Sequence, residues 1–129
     1  MTRCEVVLSG LWNFTIVRGD VTERTPSGDS WDGFGGLPDP YVCVTIAGDR
    51  RCTSTVQDTL SPVWNASYPP VTATALLGGV RVEYWDEDVS VSDPICGAGL
   101  IPVTEGDLRS GTWGAGCTSG NIEVRLAPR

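Results

Sequence analysis

Gly79-Val-Arg-Val-Glu-Tyr-Trp-Asp-Glu-Asp-Val-Ser-Val-Ser-Asp93 begins as a strand and ends as a run of carboxylates. Val80, Val82 and Tyr84 alternate with Arg81, Glu83 and Trp85, a period of two that predicts a half-buried strand. Its end carries Asp86, Asp88 and Asp93, with no basic residue between Arg81 and Arg109 to neutralise them. Residues two apart on an extended backbone point to the same side, which puts the Asp86 and Asp88 carboxylates together. Such a strand end is either a solvated turn or half of a cation site.

Around this stretch, 129 residues make one domain, residues 1–129, long enough for a core. Hydrophobic residues at 40% and charged residues at 19% indicate a globular chain. Gly and Pro are spread along it, which favours many short elements and an all-β fold. The net charge is −7 and every basic residue is Arg, so no footprint for nucleic acid exists. The same charge repels a bare anionic membrane. The absence of His removes the commonest general base and most zinc sites, and no nucleophile–base pair is visible, so a non-enzyme is expected. No apolar run is long enough to span a bilayer.

The N-terminal residues do not read as a signal peptide. Cys4–Leu8 and Trp12–Val17 are expected to form a hairpin, and Arg18–Pro38 a long irregular loop of the kind that carries function. Arg18-Gly-Asp20 matches an adhesion tripeptide, and Asn13-Phe-Thr15 and Asn65-Ala-Ser67 match the glycosylation pattern; chance accounts for all three. Tyr41–Ile46 and Arg51–Val56 read as a second hairpin. A strand after Ser61-Pro-Val-Trp-Asn65 is expected to end at Pro69-Pro70. Gly97–Val103 and Asn121–Leu126 are further strands, with one helical turn capped by Thr104 between them. About eight strands with long connections give an antiparallel β-sandwich. Cys43 and Cys52 flank a hairpin turn, and Cys96 and Cys117 bracket a loop-rich segment. Disulfides Cys43–Cys52 and Cys96–Cys117 fit this spacing and leave Cys4 over. Five reduced thiols are the competing reading, since spacing alone does not fix connectivity. The oxidised form is preferred, and with it an exported or extracellular protein.

A second acidic loop, Ser30-Trp-Asp32-Gly-Phe-Gly-Gly-Leu-Pro-Asp39-Pro-Tyr41, precedes the Tyr41 strand. Leu37-Pro-Asp-Pro-Tyr-Val42, Asp58-Thr-Leu-Ser-Pro-Val-Trp-Asn65 and Val82-Glu-Tyr-Trp-Asp-Glu-Asp88 with Asp93 together resemble the C2 domain, from about Trp12 to Leu126. The acidic strand with its Gly-Cys neighbourhood and the later Cys117 also resembles the C-terminal lipid-binding domain of perforin. The resemblance implies an eight-stranded antiparallel sandwich of C2-type Greek-key topology, with long loops and calcium at one end. It implies ligands Asp32 and Asp39 facing Asp86, Asp88 and Asp93, with the carbonyls of Trp31 and Glu87. The spacing from Asp32 to Asp39 is one residue longer than the family pattern and that from Asp88 to Asp93 one shorter, so Asp29 stands as a substitute for Asp32.

The residues support calcium on chemical grounds too. Calcium takes roughly six to eight hard oxygen ligands in irregular geometry, which carboxylates and carbonyls of two loops supply. Neither His nor a close Cys pair is offered for zinc. Two carboxylates about 5 Å apart repel by about 1–3 kcal/mol, so five together call for a cation. The bland alternative is ordinary solvated loop aspartates. Phe34, Val89 and Val91 are expected to contact membrane, while Trp31 and Leu37 are expected to pack beneath the first loop. The combined expectation is a calcium-dependent phospholipid-binding module, monomeric or part of a larger protein, peripheral on membranes when loaded. The alternative is a calcium-stabilised extracellular domain that contacts protein or glycan, and a more distant one is an acidic metal-dependent hydrolase.

Overall fold

The computed structural model describes residues 9–25, 27–31, 36–87 and 93–129. Eight strands and two short helices follow one another among them. In chain order they are β1 (Leu11–Val21), β2 (Pro40–Ile46), β3 (Asp49–Cys52), β4 (Val63–Thr72), α1 (Ala73–Leu77) and β5 (Val80–Asp86). Then come β6 (Asp93–Ile101), α2 (Glu105–Ser110), β7 (Thr112–Cys117) and β8 (Gly120–Pro128). One antiparallel sheet has the order β4-β1-β8-β7 and the other β3-β2-β5-β6, the two layers of a C2-type sandwich.

Alternation decides which side chains meet between the layers. Val42, Val44 and Ile46 of β2 and Val80, Val82 and Tyr84 of β5 face Phe14, Ile16, Val124 and Leu126 from the other sheet, all buried. Phe14 anchors this core, with its ring 5.8 Å from Trp113 and 6.1 Å from Tyr68. The Tyr68 hydroxyl donates to the Asp49 carbonyl and so ties β4 to the start of β3 in the opposite sheet, just past the turn from β2. That turn is two residues long, with positive φ at Ala47 (50°) and Gly48 (83°), the geometry that suits a tight hairpin.

Several expected boundaries shift. Arg18–Val21 continues β1 instead of opening the loop, because β8 extends alongside it, with Gly19 opposite Ile122 and Val21 opposite Gly120. A side chain at Gly19 would sit 2.6 Å from the Asn121 carbonyl and 2.7 Å from the Tyr84 hydroxyl, so this glycine serves packing and Arg18-Gly-Asp20 is no displayed adhesion loop. β4 runs through Pro69-Pro70 to Thr72, which an edge strand permits. β3 ends at Cys52, well short of Val56. β6 begins at Asp93, four residues before the expected strand. Thr15 and Ser67, the hydroxyl residues of the two glycosylation matches, lie opposite each other with their hydroxyl oxygens 3.2 Å apart. The expected strand Cys4–Leu8 lies outside the described residues.

The expected cap is present. The Thr104 hydroxyl accepts from the Asp107 amide, and the Asp107 carboxylate accepts from the Thr104 amide. Both disulfides are formed: Cys43 and Cys52 stand directly opposite in the hairpin, and Cys96 and Cys117 join β6 to β7.

Candidate calcium site at the loop end

The C-terminal end of β1, the start of β2, the end of β5 and the start of β6 all lie at one end of the sandwich. The register makes this concrete: Pro40 of β2 lies opposite Asp86 of β5, and Asp86 lies opposite Asp93 of β6. Two distant parts of the chain therefore deliver Asp39, Asp86 and Asp93 to neighbouring positions on three adjacent strands.

Backbone amides orient two of these carboxylates. The Asp39 amide donates to Asp86 Oδ1 at 2.8 Å, and the Asp58 amide donates to Asp39 Oδ1 at 2.7 Å. The Glu87 amide donates back to the Asp39 carbonyl at 2.9 Å, which latches the end of β5 to the first loop. Asp86 continues the inward row of Val80, Val82 and Tyr84 and is only 1% exposed. A carboxylate so buried is retained only with compensating partners, and the Asp39 amide is one of them. Asp39 is half-buried, whereas Glu87 and Asp93 are exposed at the rim.

Asp58 entered the sequence reading as the first residue of a C2 signature, with no part in the site, although it bears on Asp39 directly. Its segment, residues 53–62, crosses the loop end between the sheets. The Gly19 amide bonds to the Pro62 carbonyl, that of Val21 to Leu60, and that of Thr59 to Pro38. Asp58 takes φ of 51°, which Asp tolerates better than most residues, and this turn aims its amide at Asp39. The available signal was an Asp just before Thr-Leu-Ser-Pro in a turn-rich stretch.

Trp31 is buried as expected, and its indole donates to the Thr22 carbonyl at 2.7 Å. Leu37 departs from expectation: it is 41% exposed, since the chain just beyond it turns Pro38 inward beneath Thr59. Asp29 sits in a small turn, where its carboxylate accepts from the Ser27 hydroxyl and its carbonyl from the Thr25 amide. Asp32, Phe34, Asp88, Val89 and Val91 lie outside the described residues. Among the described residues no group of three or more Cys, Asp or Glu is close enough to hold a metal ion. The donors gathered at this end are nonetheless all hard oxygens, without competing nitrogen or thiolate, and that chemistry fits calcium better than zinc or copper.

Residues 14–114 match the profile of the C2 domain. The chain belongs to the C2 domain family. This C2 domain is 30% identical over 128 residues to Synaptotagmin-4 of Arabidopsis thaliana, an alignment covering 95% of the chain and 21% of that relative. It is 30% identical over 105 residues to Extended synaptotagmin-3 of Mus musculus, covering 76% of the chain and 11% of the relative. The domain thus spans about a fifth or less of the length of these curated relatives. Among solved structures it resembles a calcium-bound pair of C2 domains from Extended-Synaptotagmin 2, with a TM-score of 0.67 at 19% identity, over 96% of this chain and 47% of that one. A single C2 domain of plant Extended Synaptotagmin 1 gives a TM-score of 0.64 at 18% identity, over 95% of this chain and 96% of that one.

Away from the loops, the edge strand β3 carries paired charges. Arg50 bonds to both Glu83 oxygens, at 2.8 Å and 3.2 Å, and Arg51 bonds to Asp49 at 3.2 Å. The hydrogen-bonded Arg50 guanidinium holds the Glu83 carboxyl below the usual carboxylate range. The two clustered arginines are therefore spoken for by neighbouring carboxylates, and they form no free basic patch.

Proposed function

We propose that this C2 domain is a calcium-dependent phospholipid-binding module, peripheral on membranes and acting within a larger protein. The observation that carries the reading is the Asp39 amide held on the Asp86 carboxylate, with Asp93 opposite Asp86 in the register. Asp39, Asp86 and Asp93 would hold the ion together with Asp32 and Asp88, and the carbonyls of Trp31 and Glu87 would complete its sphere. When bound, calcium supplies positive charge and open coordination positions suited to phosphate oxygens. The chain supplies the rest. Buried Asp86 fixes one anchor and the Asp58 amide aims Asp39; Phe34, Val89 and Val91 would supply the apolar contact with the acyl boundary. The reading involves no catalytic step.

The calcium-stabilised extracellular interaction domain remains the second reading, and the two disulfides favour it, since such bonds persist mainly in oxidising compartments. One experiment tests both. Calcium should raise the melting temperature of the wild-type chain and sediment it with phosphatidylserine vesicles. Asp86→Asn with Asp88→Asn should abolish both effects; an unchanged thermal shift in that variant would remove the ion from these loops. A shift with no sedimentation would favour the extracellular reading.

A further inference from the structure

The two sheets end side by side on one flank, where β6 and β7 are each the last strand of their sheet. The Cys96–Cys117 disulfide spans this flank, with Cα atoms 5.8 Å apart and a sequence separation of 21 residues. Cys96 lies three residues after Asp93, and Cys117 ends β7 opposite Gly120, at the loop end. The pairing of β5 with β6 is irregular here. Its register shifts on both sides of Tyr84, the partner of Cys96, just before Asp86 meets Asp93. The ladder alone holds this corner loosely, and the disulfide with buried Ile95 holds it to the opposite sheet.

The bond is also open to attack and its reduced form is provided for. Cys117 is exposed. Its sulfur lies 3.3 Å from the Ile95 carbonyl oxygen, and the Cys96 sulfur lies 3.5 Å from that of Gly120. After reduction each thiol has an acceptor already in reach. The other disulfide differs in what it holds: Cys52 is exposed too, but Cys43 and Cys52 are neighbours in a hairpin that its tight turn already closes.

We propose that the Cys96–Cys117 disulfide is a redox switch that sets how tightly the loop end holds calcium, an inference that rests on the calcium reading above. A thiolate of a dithiol reductant attacks the Cys117 sulfur, the Cys96 thiolate leaves and takes a proton, and the second reductant thiol displaces Cys117. Two electrons and two protons pass to the protein, and the reductant departs as its own disulfide. With the staple open, Asp93 leaves its place opposite Asp86 more often, and the binding-competent fraction falls.

The test is calorimetric titration with calcium chloride of four samples: oxidised chain, chain treated with dithiothreitol, Cys96→Ser/Cys117→Ser, and Cys43→Ser/Cys52→Ser. Circular dichroism checks the fold, and hydrogen exchange is followed in the calcium-free chain. The reduced chain and the Cys96/Cys117 variant should bind about five- to tenfold more weakly, as expected if the competent fraction drops to about a tenth to a fifth. Their Asp93, Ile95 and Cys96 amides should exchange faster, while the Cys43/Cys52 variant matches the oxidised chain in both respects. Equal affinities in all samples, the same weakening in the Cys43/Cys52 variant, or loss of the whole fold on reduction would each overturn the switch. An oxidised chain that binds no calcium would overturn the calcium reading along with it, whereas calcium binding indifferent to the disulfide would overturn the switch alone.

Discussion

Glu83 shows how one side chain can carry a pH dependence on the face away from the loops. Its carboxyl is held below the usual range chiefly by the Arg50 hydrogen bonds. A depressed folded value means the stabilisation is complete above the unfolded value of about 4.3 and is lost as pH falls through the folded one. Arg50 is half exposed, so solvent screens the pair and its worth is about 0.5–1 kcal/mol. Glu83→Gln should lower the melting temperature by about 2–4 °C at pH 7, with the gap to wild type closing as pH falls below about 4.3 and through the depressed folded value. A gap that persists at the acid end would show that packing, not charge, is lost. At this scale the alternation of Val80, Val82 and Tyr84 told which residues face the core, and it placed Asp86 in the same inward row. What the alternation did not reveal was the Asp58 amide on Asp39, because that bond depends on a left-handed turn nineteen residues away in sequence.

Among the elements, α2 is six residues long, too short to persist without help from its ends. Its reciprocal cap between Thr104 and Asp107 and the left-handed Gly111 (φ 79°) provide that help. Thr104→Ala should cost about 1 kcal/mol, or about 3 °C in melting temperature, with calcium binding unchanged; scanning calorimetry reads this, and a change below about 0.3 kcal/mol would mean the cap is solvated rather than structural. The cap and the tight hairpin were legible because both are written in adjacent residues. β7 was not, since Gly114 and Gly116 break its alternation, and a side chain at Gly114 would come within 3.0 Å of the Ile122 carbonyl. Pro69-Pro70 looked like a strand end because local sequence does not disclose that β4 is an edge. The long first loop was overestimated at its start for a similar reason: only the partner β8 explains why Arg18–Val21 is extended. The three matched signatures made the C2 architecture legible as a whole, while the proposed ligand set includes Asp32 and Asp88, which lie outside the described residues.

For the whole molecule, a net charge of −7 and the paired arginines of β3 leave little attraction to an anionic surface apart from the loops. Membrane binding should then depend on the loop tips once charge is cancelled. Phe34→Ala with Val89→Ala should reduce sedimentation with phosphatidylserine vesicles by about tenfold or more, since burying each such side chain is worth about 1.5–3 kcal/mol, while the calcium-induced thermal shift stays. Undiminished sedimentation would assign the contact to another part of the surface.

The opposite end of the sandwich sets how this domain can be mounted. Trp12 lies beside Pro128, and the Arg129 amide donates to the Leu11 carbonyl at 2.9 Å, so the first and last strands meet at the floor, a full strand length from Asp39 and Asp86. The start of β1 and the end of β8 thus share one point beneath the sandwich. A group held at that point stands clear of the loops proposed to meet a bilayer.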